Sequence, residues 1–219
     1  MSGQLLYLDR LDVAHDEQAS FNRLYQHDVL PELRKVRGVL RVARYQTESG
    51  RDPRYLALYE IADRNVVASP EWIAAFERTH WLDRLLPFVM NRHDGVYARI
   101  GGNAKLTYGT RYVLCVSIDI EAHKEDLMNR LYDAEHIPLL LQLPGVVNVV
   151  RYRATQGNPR YLAIYEIEHP EIPTTREWAV ASDTGRWKLE VKPYTYNRSF
   201  VVYEAMNERV GAGKVEDKG

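Results

Sequence analysis

The side chains best suited to chemistry lie in the stretch NRLYDAEHIP, residues 129–138. Met128, Tyr132 and His136 are spaced by four, so on a helix at about 100° per residue they share one stripe, with Glu135 beside it. An imidazole in a partly apolar pocket, next to a carboxylate that sets its tautomer, is suited to general acid or base work near neutral pH. Tyr132, one turn away, is placed to donate to a developing oxyanion. The structural alternative is that His136 hydrogen-bonds a backbone carbonyl and fixes the helix end before Pro138. Asn129 and Met128 on the same helix, with Arg151, Tyr165 and Trp178 from neighbouring elements, complete the candidate substrate-binding set.

The elements that must position these residues are written twice. NRLY occurs at 22–25 and again at 129–132. The same offset pairs Pro31 with Pro138, Gly38 with Gly145, and Arg44 and Tyr45 with Arg151 and Tyr152. After one deletion, PRYLALYEI at 53–61 lies on PRYLAIYEI at 159–167, and Trp72, Trp81, Asn91 and Arg92 lie on Trp178, Trp187, Asn197 and Arg198. Roughly thirty identities over about 95 positions, with a single gap, mark an internal duplication.

Each copy reads as strand, helix, strand, strand, helix, strand. LLYLDRLDV and YVLCVSIDI have strand length and composition. Leu127, Met128, Leu131, Tyr132 and Ile137 then recur at helical spacing, and Pro138, then Pro144 with Gly145, are expected to break this run into a long helix and a short following turn. VVNVVRYRA and RYLAIYEIE form a hairpin around TQGNP. Thr174 followed by Glu177 is a capping-box signal for a second helix, a job that Ser69 and Pro70 do in the first copy. YNRSFVVYEA closes the unit.

That order predicts an α+β chain of two ferredoxin-like (βαββαβ) repeats, 1–100 and 111–206, with a glycine-rich linker at 101–110 and a flexible C-terminal tail at 207–219. Each four-stranded sheet has helices on one face only. Its bare apolar face needs a cover, and the other copy's sheet supplies one, giving an eight-stranded barrel-like core. Arg44 and Arg151 are expected to pair with Glu60 and Glu166 across the hairpins, and the repeated tyrosines and tryptophans to serve mainly as packing anchors.

The stretch NRLYDAEHIPLLLQLPGVVNVVRYRATQGNPRYLAIYEI resembles the motif of EthD-like proteins in the dimeric α+β barrel superfamily: an aromatic, an acidic-His-Ile-Pro run and a proline-glycine before a hairpin. The resemblance covers nearly all of both copies. It implies that the antiparallel sheets face each other as an intrachain dimeric α/β barrel, with a pocket between helices and sheet in each unit. The superfamily spans cofactor-free oxygenases, cyclases, isomerases, decarboxylating enzymes, haem enzymes and proteins with no known reaction, so it implies a fold more than a chemistry. The first copy departs from the pattern. Asp28 and Val29 align with Glu135 and His136, and His27, opposite Ala134, points elsewhere by helical periodicity. With Asn22 and Tyr25, these residues make a degenerate counterpart.

The expectation is a cofactor-independent enzyme in which His136, Tyr132 and Glu135 act on a small apolar or aromatic molecule, such as a carbonyl or phenol. The alternative is a non-catalytic small-ligand-binding or accessory protein. With 29 basic against 30 acidic side chains, the chain lacks the cationic field that nucleic acids and membranes select. The start has no leader pattern, and no apolar run reaches about 18 residues. A lone cysteine, Cys115, excludes an intrachain disulfide and fits the cytoplasm. No cofactor and no metal are expected: no histidine pair has the four-residue spacing of a helical metal site, no glycine-rich nucleotide loop occurs, and no proximal haem histidine stands out. The expected partner is a small molecule, bound by a monomer of pseudo-twofold symmetry or by a homodimer.

Overall fold

The computed structural model describes residues 5–47, 50, 53–103, 105–157 and 159–206. Eight strands occupy the predicted runs: β1 Leu5–Val13, β2 Val39–Gln46, β3 Tyr55–Ile61, β4 Val89–Gly102, β5 Tyr112–Ile120, β6 Val146–Ala154, β7 Tyr161–Ile167 and β8 Thr195–Ala205. They close, all antiparallel, into a barrel ordered β1-β3-β2-β8-β5-β7-β6-β4. Half a turn around this ring exchanges β1 with β5, β3 with β7, β2 with β6 and β8 with β4, so both halves have the same strand order. The halves join where β2 meets β8 and β4 meets β6.

The period of two along each strand builds two kinds of core. On β7, Leu162 and Ile164 point into the barrel with Leu58, Cys115 and Val150, while Tyr161, Ala163, Tyr165 and Ile167 point out beneath the helices. Both faces are therefore dry, which is why these strands read as nearly continuous apolar runs. Each such leucine or isoleucine contributes about 1.5–3 kcal/mol on burial.

The same alternation overturns the expected hairpin ion pairs, because the arginines and glutamates lie on opposite faces of the sheet. Arg151 points out and meets Asp133 at 3.0 Å, whereas Glu166 points in and accepts hydrogen bonds from the Thr107 and Gly109 amides and from Asn148. Arg44 likewise faces Asn22 and Gln26, and Glu60 accepts from the Tyr108 hydroxyl. The segment joining the halves follows from this. Leu106 is buried in the barrel, and the backbone after it wraps the Glu166 carboxylate, so part of residues 101–110 belongs to the interior. The predicted tail, 207–219, lies outside the described residues.

Four helices cover the outer faces: α1 (18–35), α2 (Pro70–Glu77), α3 (125–140) and α4 (Arg176–Ser182). α1 and α3 each contain one widened turn, Tyr25–Val29 and Tyr132–His136, in which the next amide reaches five residues back. Pro138 does not break α3. Its missing amide and bulky ring are absorbed at that turn, and the helix continues through Ile137–Leu140. The cap of α4 is Thr175, whose hydroxyl accepts from the Trp178 amide at 3.1 Å, and not Thr174, whose hydroxyl donates to the Glu171 carbonyl. Ser69 caps α2 through the Trp72 amide in the same way.

Candidate functional site

In the second half a cavity of about 100 Å³ lies between α3, α4 and the outer face of the sheet. α3 contributes Tyr132 and His136, β5 contributes Val116 and Ile118, and β7 contributes Tyr165. Trp178 and Ser182 come from α4, Trp187 and Lys192 from the turns after it, and Thr195, Arg198 and Phe200 from β8.

β8 can present both Thr195 and Arg198, an odd interval, to one face only because it carries a bulge. Asn197 and Arg198 together oppose Ile118, as the register jumps between Ser117–Ser199 and Asp119–Tyr196. Asn197 adopts φ 48° and is held there by its side-chain amide donating to Asp119 at 2.9 Å.

His136 forms the wall of this cavity. Its ring stacks on Trp187 with centroids 4.2 Å apart and meets Tyr132 edge-on at 5.0 Å. Only 7% of the residue is exposed, and burial, aided by the nearby Arg151 cation, pushes the imidazole pKa down to about 3. The ring is therefore neutral at physiological pH, contrary to the near-neutral titration expected from sequence. Neither nitrogen has a hydrogen-bond partner among the described residues. The helix-end reading, with a carbonyl accepting from His136, is thus absent from this structure.

Glu135 does not set the tautomer. It lies beside Gly185 and Arg186 at the surface, because the neighbouring helical position points well away from that of His136. The Tyr132 hydroxyl lies 3.2 Å from that of Tyr165, and burial raises the pKa of both phenols.

Arg151 sits behind Tyr132, its guanidinium 4.2 Å from the ring, and donates to Asn129 Oδ1 at 2.6 Å while pairing with Asp133. Asn129 in turn reaches the Tyr161 hydroxyl at 3.4 Å. Arg151, Asn129 and the fully buried Met128 therefore support the aromatic wall and do not line the cavity. Of the predicted set, His136, Tyr132, Tyr165 and Trp178 converge on it.

The first half repeats the scaffold and fills the space. Tyr25 pairs with Tyr59, and Arg44 lies 4.3 Å over the Tyr25 ring and donates to Asn22. Val29 is buried where the second half has His136. His27 is exposed, and Asp28 accepts from the His80 amide at 2.7 Å. Phe76 occupies the place of Ser182 and packs on Trp72 and Trp81 at 5.6 and 5.2 Å. Asp9 occupies the place of Val116. It receives Arg92 through Nε and Nη2, both at 3.0 Å, while Tyr7 donates to Asp94 at 3.0 Å. Burial pushes the Asp9 carboxyl up against the pull of Arg92. A cavity of about 10 Å³ remains beside Asp9, Phe21 and Tyr25.

Val116, Ser182, Lys192 and Arg198 were not singled out from sequence as site residues. Aligning the two copies for differences, and not only for identities, would have marked Val116 against Asp9 and Ser182 against Phe76. A larger opening of about 770 Å³ lies near Arg10, Asp12, His15, Asn91 and His93. It is an open polar groove whose rim residues Thr47, Gly50 and Pro53 adjoin positions outside the described residues.

Among the described residues, no group of three or more His, Cys, Asp or Glu side chains is placed to hold a metal ion. A porphyrin does not fit the second-half cavity, which is well below the roughly 300–1,000 Å³ of drug-sized sites and has Trp187 covering the His136 ring face.

No protein-family profile and no curated protein matches this sequence. Solved structures with the same architecture exist. An anthrone oxidase-like protein superposes with a TM-score of 0.69 at 8% identity, over 94% of this chain and 92% of that one. A provisionally named monooxygenase from Fusobacterium nucleatum gives 0.67 at 8% identity, over 94% of both chains. Chlorite dismutase from Candidatus Nitrospira defluvii, in complex with imidazole, gives 0.66 at 13% identity, over 94% and 92%. This chain has the fold of the dimeric α+β barrels. At such identities the likeness establishes fold and not reaction. No helix among the described residues is long and apolar enough to cross a membrane.

Proposed function

We propose that the second-half cavity is the working site of a cofactor-independent enzyme of EthD-like type that acts on a small, flat, apolar or aromatic molecule. The observation that carries this reading is His136: a buried, neutral imidazole without a hydrogen-bond partner among the described residues, lining an aromatic cavity. A ligand in the cavity supplies the hydrogen bond that no described protein group makes to this ring. Above pH 3 the ring is already in the state a base requires, although its low basicity suits it better to polarising a carbonyl or phenol than to deprotonating an unactivated carbon. The Tyr132–Tyr165 hydroxyl pair offers a second donor on the same wall.

The test is a panel of small aromatic ketones, phenols and acids, followed by histidine and indole NMR for binding and by mass spectrometry for conversion. The enzyme reading expects at least one compound to shift His136 and Trp187 and to be converted, with His136→Phe abolishing conversion. Conversion that survives this variant refutes the assigned role of His136. Binding without any conversion favours the alternative, a non-catalytic small-ligand-binding or accessory protein.

We also infer a tandem duplication, supported by the repeated sequence and by the identical strand order of the halves. The repeats are assigned to 1–100 and 111–206, the second retaining the open pocket and the first serving as structure. The protein is further proposed to be cytoplasmic, a monomer of pseudo-twofold symmetry or a homodimer, with a small molecule as its partner and neither nucleic acid nor membrane.

A further inference from the structure

The first half contains a built answer to the question of what the second-half arginine binds. Arg92 and Arg198 occupy equivalent bulged positions, each directly after an asparagine with φ near 48° that is held by an aspartate of the adjoining strand. Arg92 points across its half to Asp9, which is 3% exposed and accepts two parallel hydrogen bonds at 3.0 Å. In the second half the aspartate is replaced by Val116 and the neighbouring Asp94 by Phe200. Arg198 carries no hydrogen bond or ion pair among the described residues. Both Val116 and Arg198 line the cavity, and among the described residues no carboxylate does; the ionisable side chains lining it are Tyr132, His136, Tyr165, Lys192 and Arg198. Ser182, in place of Phe76, leaves room for a ring where the first half supplies its own.

We propose that the cavity takes a small aromatic or apolar monocarboxylate, whose carboxylate sits over Arg198 as Asp9 sits over Arg92 and whose flat body lies against Trp178 and Trp187. The proposal rests on the second-half cavity being the ligand site and adds the chemical class of the ligand. Arg198 is exposed at the cavity rim, and its planar guanidinium presents two parallel donors to a carboxylate. Lys192, which also lines the cavity, is held by Asp183 at 2.7 Å, so among the described residues Arg198 is the lining cation without a counter-ion.

The test measures binding of benzoate, benzamide and acetate to the full chain by calorimetry, with His136 and Trp187 NMR signals locating the site. Benzoate is expected to bind at least about tenfold more tightly than its neutral amide or than acetate, the scale of a charge-assisted hydrogen-bonded pair. Arg198→Gln, a change at the rim, should weaken benzoate about tenfold and leave benzamide unchanged. Val116→Asp, which copies the first half, should abolish benzoate binding, and Ser182→Phe should block both aromatic probes. Equal affinity for benzoate and benzamide, or an Arg198→Gln variant that binds benzoate normally, overturns the carboxylate assignment while the pocket reading stands. Acetate or phosphate binding as tightly as benzoate also overturns it, by making this a general anion site. If neither aromatic probe shifts His136 or Trp187, the pocket reading and this proposal fall together.

Discussion

His136 is buried against Trp187 and carries a depressed pKa, and this ties folding stability to pH in a way that can be worked out. In the unfolded chain the imidazole titrates at its ordinary value of 6.5, and in the folded protein at about 3. Between these values the unfolded state binds one more proton, so stability falls as pH falls, by about 1.4 kcal/mol per unit. From pH 8 to pH 5 the loss attributable to His136 is about 2 kcal/mol, less than half of the roughly 5 kcal/mol lost once pH falls below the folded-state value, because pH 5 still lies well above that value. His136→Phe keeps a ring to stack on Trp187 and removes the proton site. The stability difference between variant and wild type should therefore move by about 2 kcal/mol in the variant's favour over this pH range. The six other histidines are common to both proteins and cancel in the comparison. Urea unfolding at pH 8, 6.5 and 5 reads the effect as a relative midpoint shift of roughly 1 M. Parallel pH profiles for the two proteins, or a folded-state His136 proton signal titrating between pH 6 and 7, would refute the account of the site as dry and neutral.

Three further outcomes check the scaffold. Asp9→Asn removes a buried carboxylate from Arg92 and should destabilise the protein by about 2 kcal/mol in thermal unfolding, softened because Arg92 is partly solvated; no loss would mean that the cost of burying the Asp9 carboxylate offsets the pair. Thr175→Ala should cost about 1 kcal/mol through the lost cap on the Trp178 amide, whereas Thr174→Ala should cost clearly less in the same assay. Gly102→Ala should destabilise by at least about 1 kcal/mol, since φ is 72° and a new Cβ would lie 2.5 Å from the Val149 carbonyl oxygen; a neutral change would show that β4 does not approach β6 so closely.

Much of the scaffold could be read from local pattern. The strands lie where short apolar runs bounded by turn residues put them, because a strand buried on both faces can hardly be written otherwise. The Met128, Tyr132 and His136 stripe survives the widened turn, since all three side chains still face the sheet. Reading failed where facing depends on which side of a sheet a residue occupies. Arg151 and Glu166 looked like partners by proximity along the hairpin, but parity sends one to the helices and the other into the barrel. Glu135 failed in the same way, being adjacent to His136 in the chain but turned toward Gly185 and Arg186.

The amino-acid pattern by itself determined the strand and helix order, the duplication reading and the inward stripe of α3, because each follows from spacing within a few tens of residues. The departure at Asp28 and Val29 marked the first copy as degenerate, but how far each half is filled was decided by tertiary structure. A cavity is the difference between the space that backbones enclose and the side chains that enter it from distant elements. Phe76, Asp9 and Tyr7 fill that space in one half, and Ser182, Val116 and the bulged Arg198 leave it open in the other. The same enclosure fixes the charge of His136, since an imidazole keeps its ordinary pKa until packing from several elements takes it out of water.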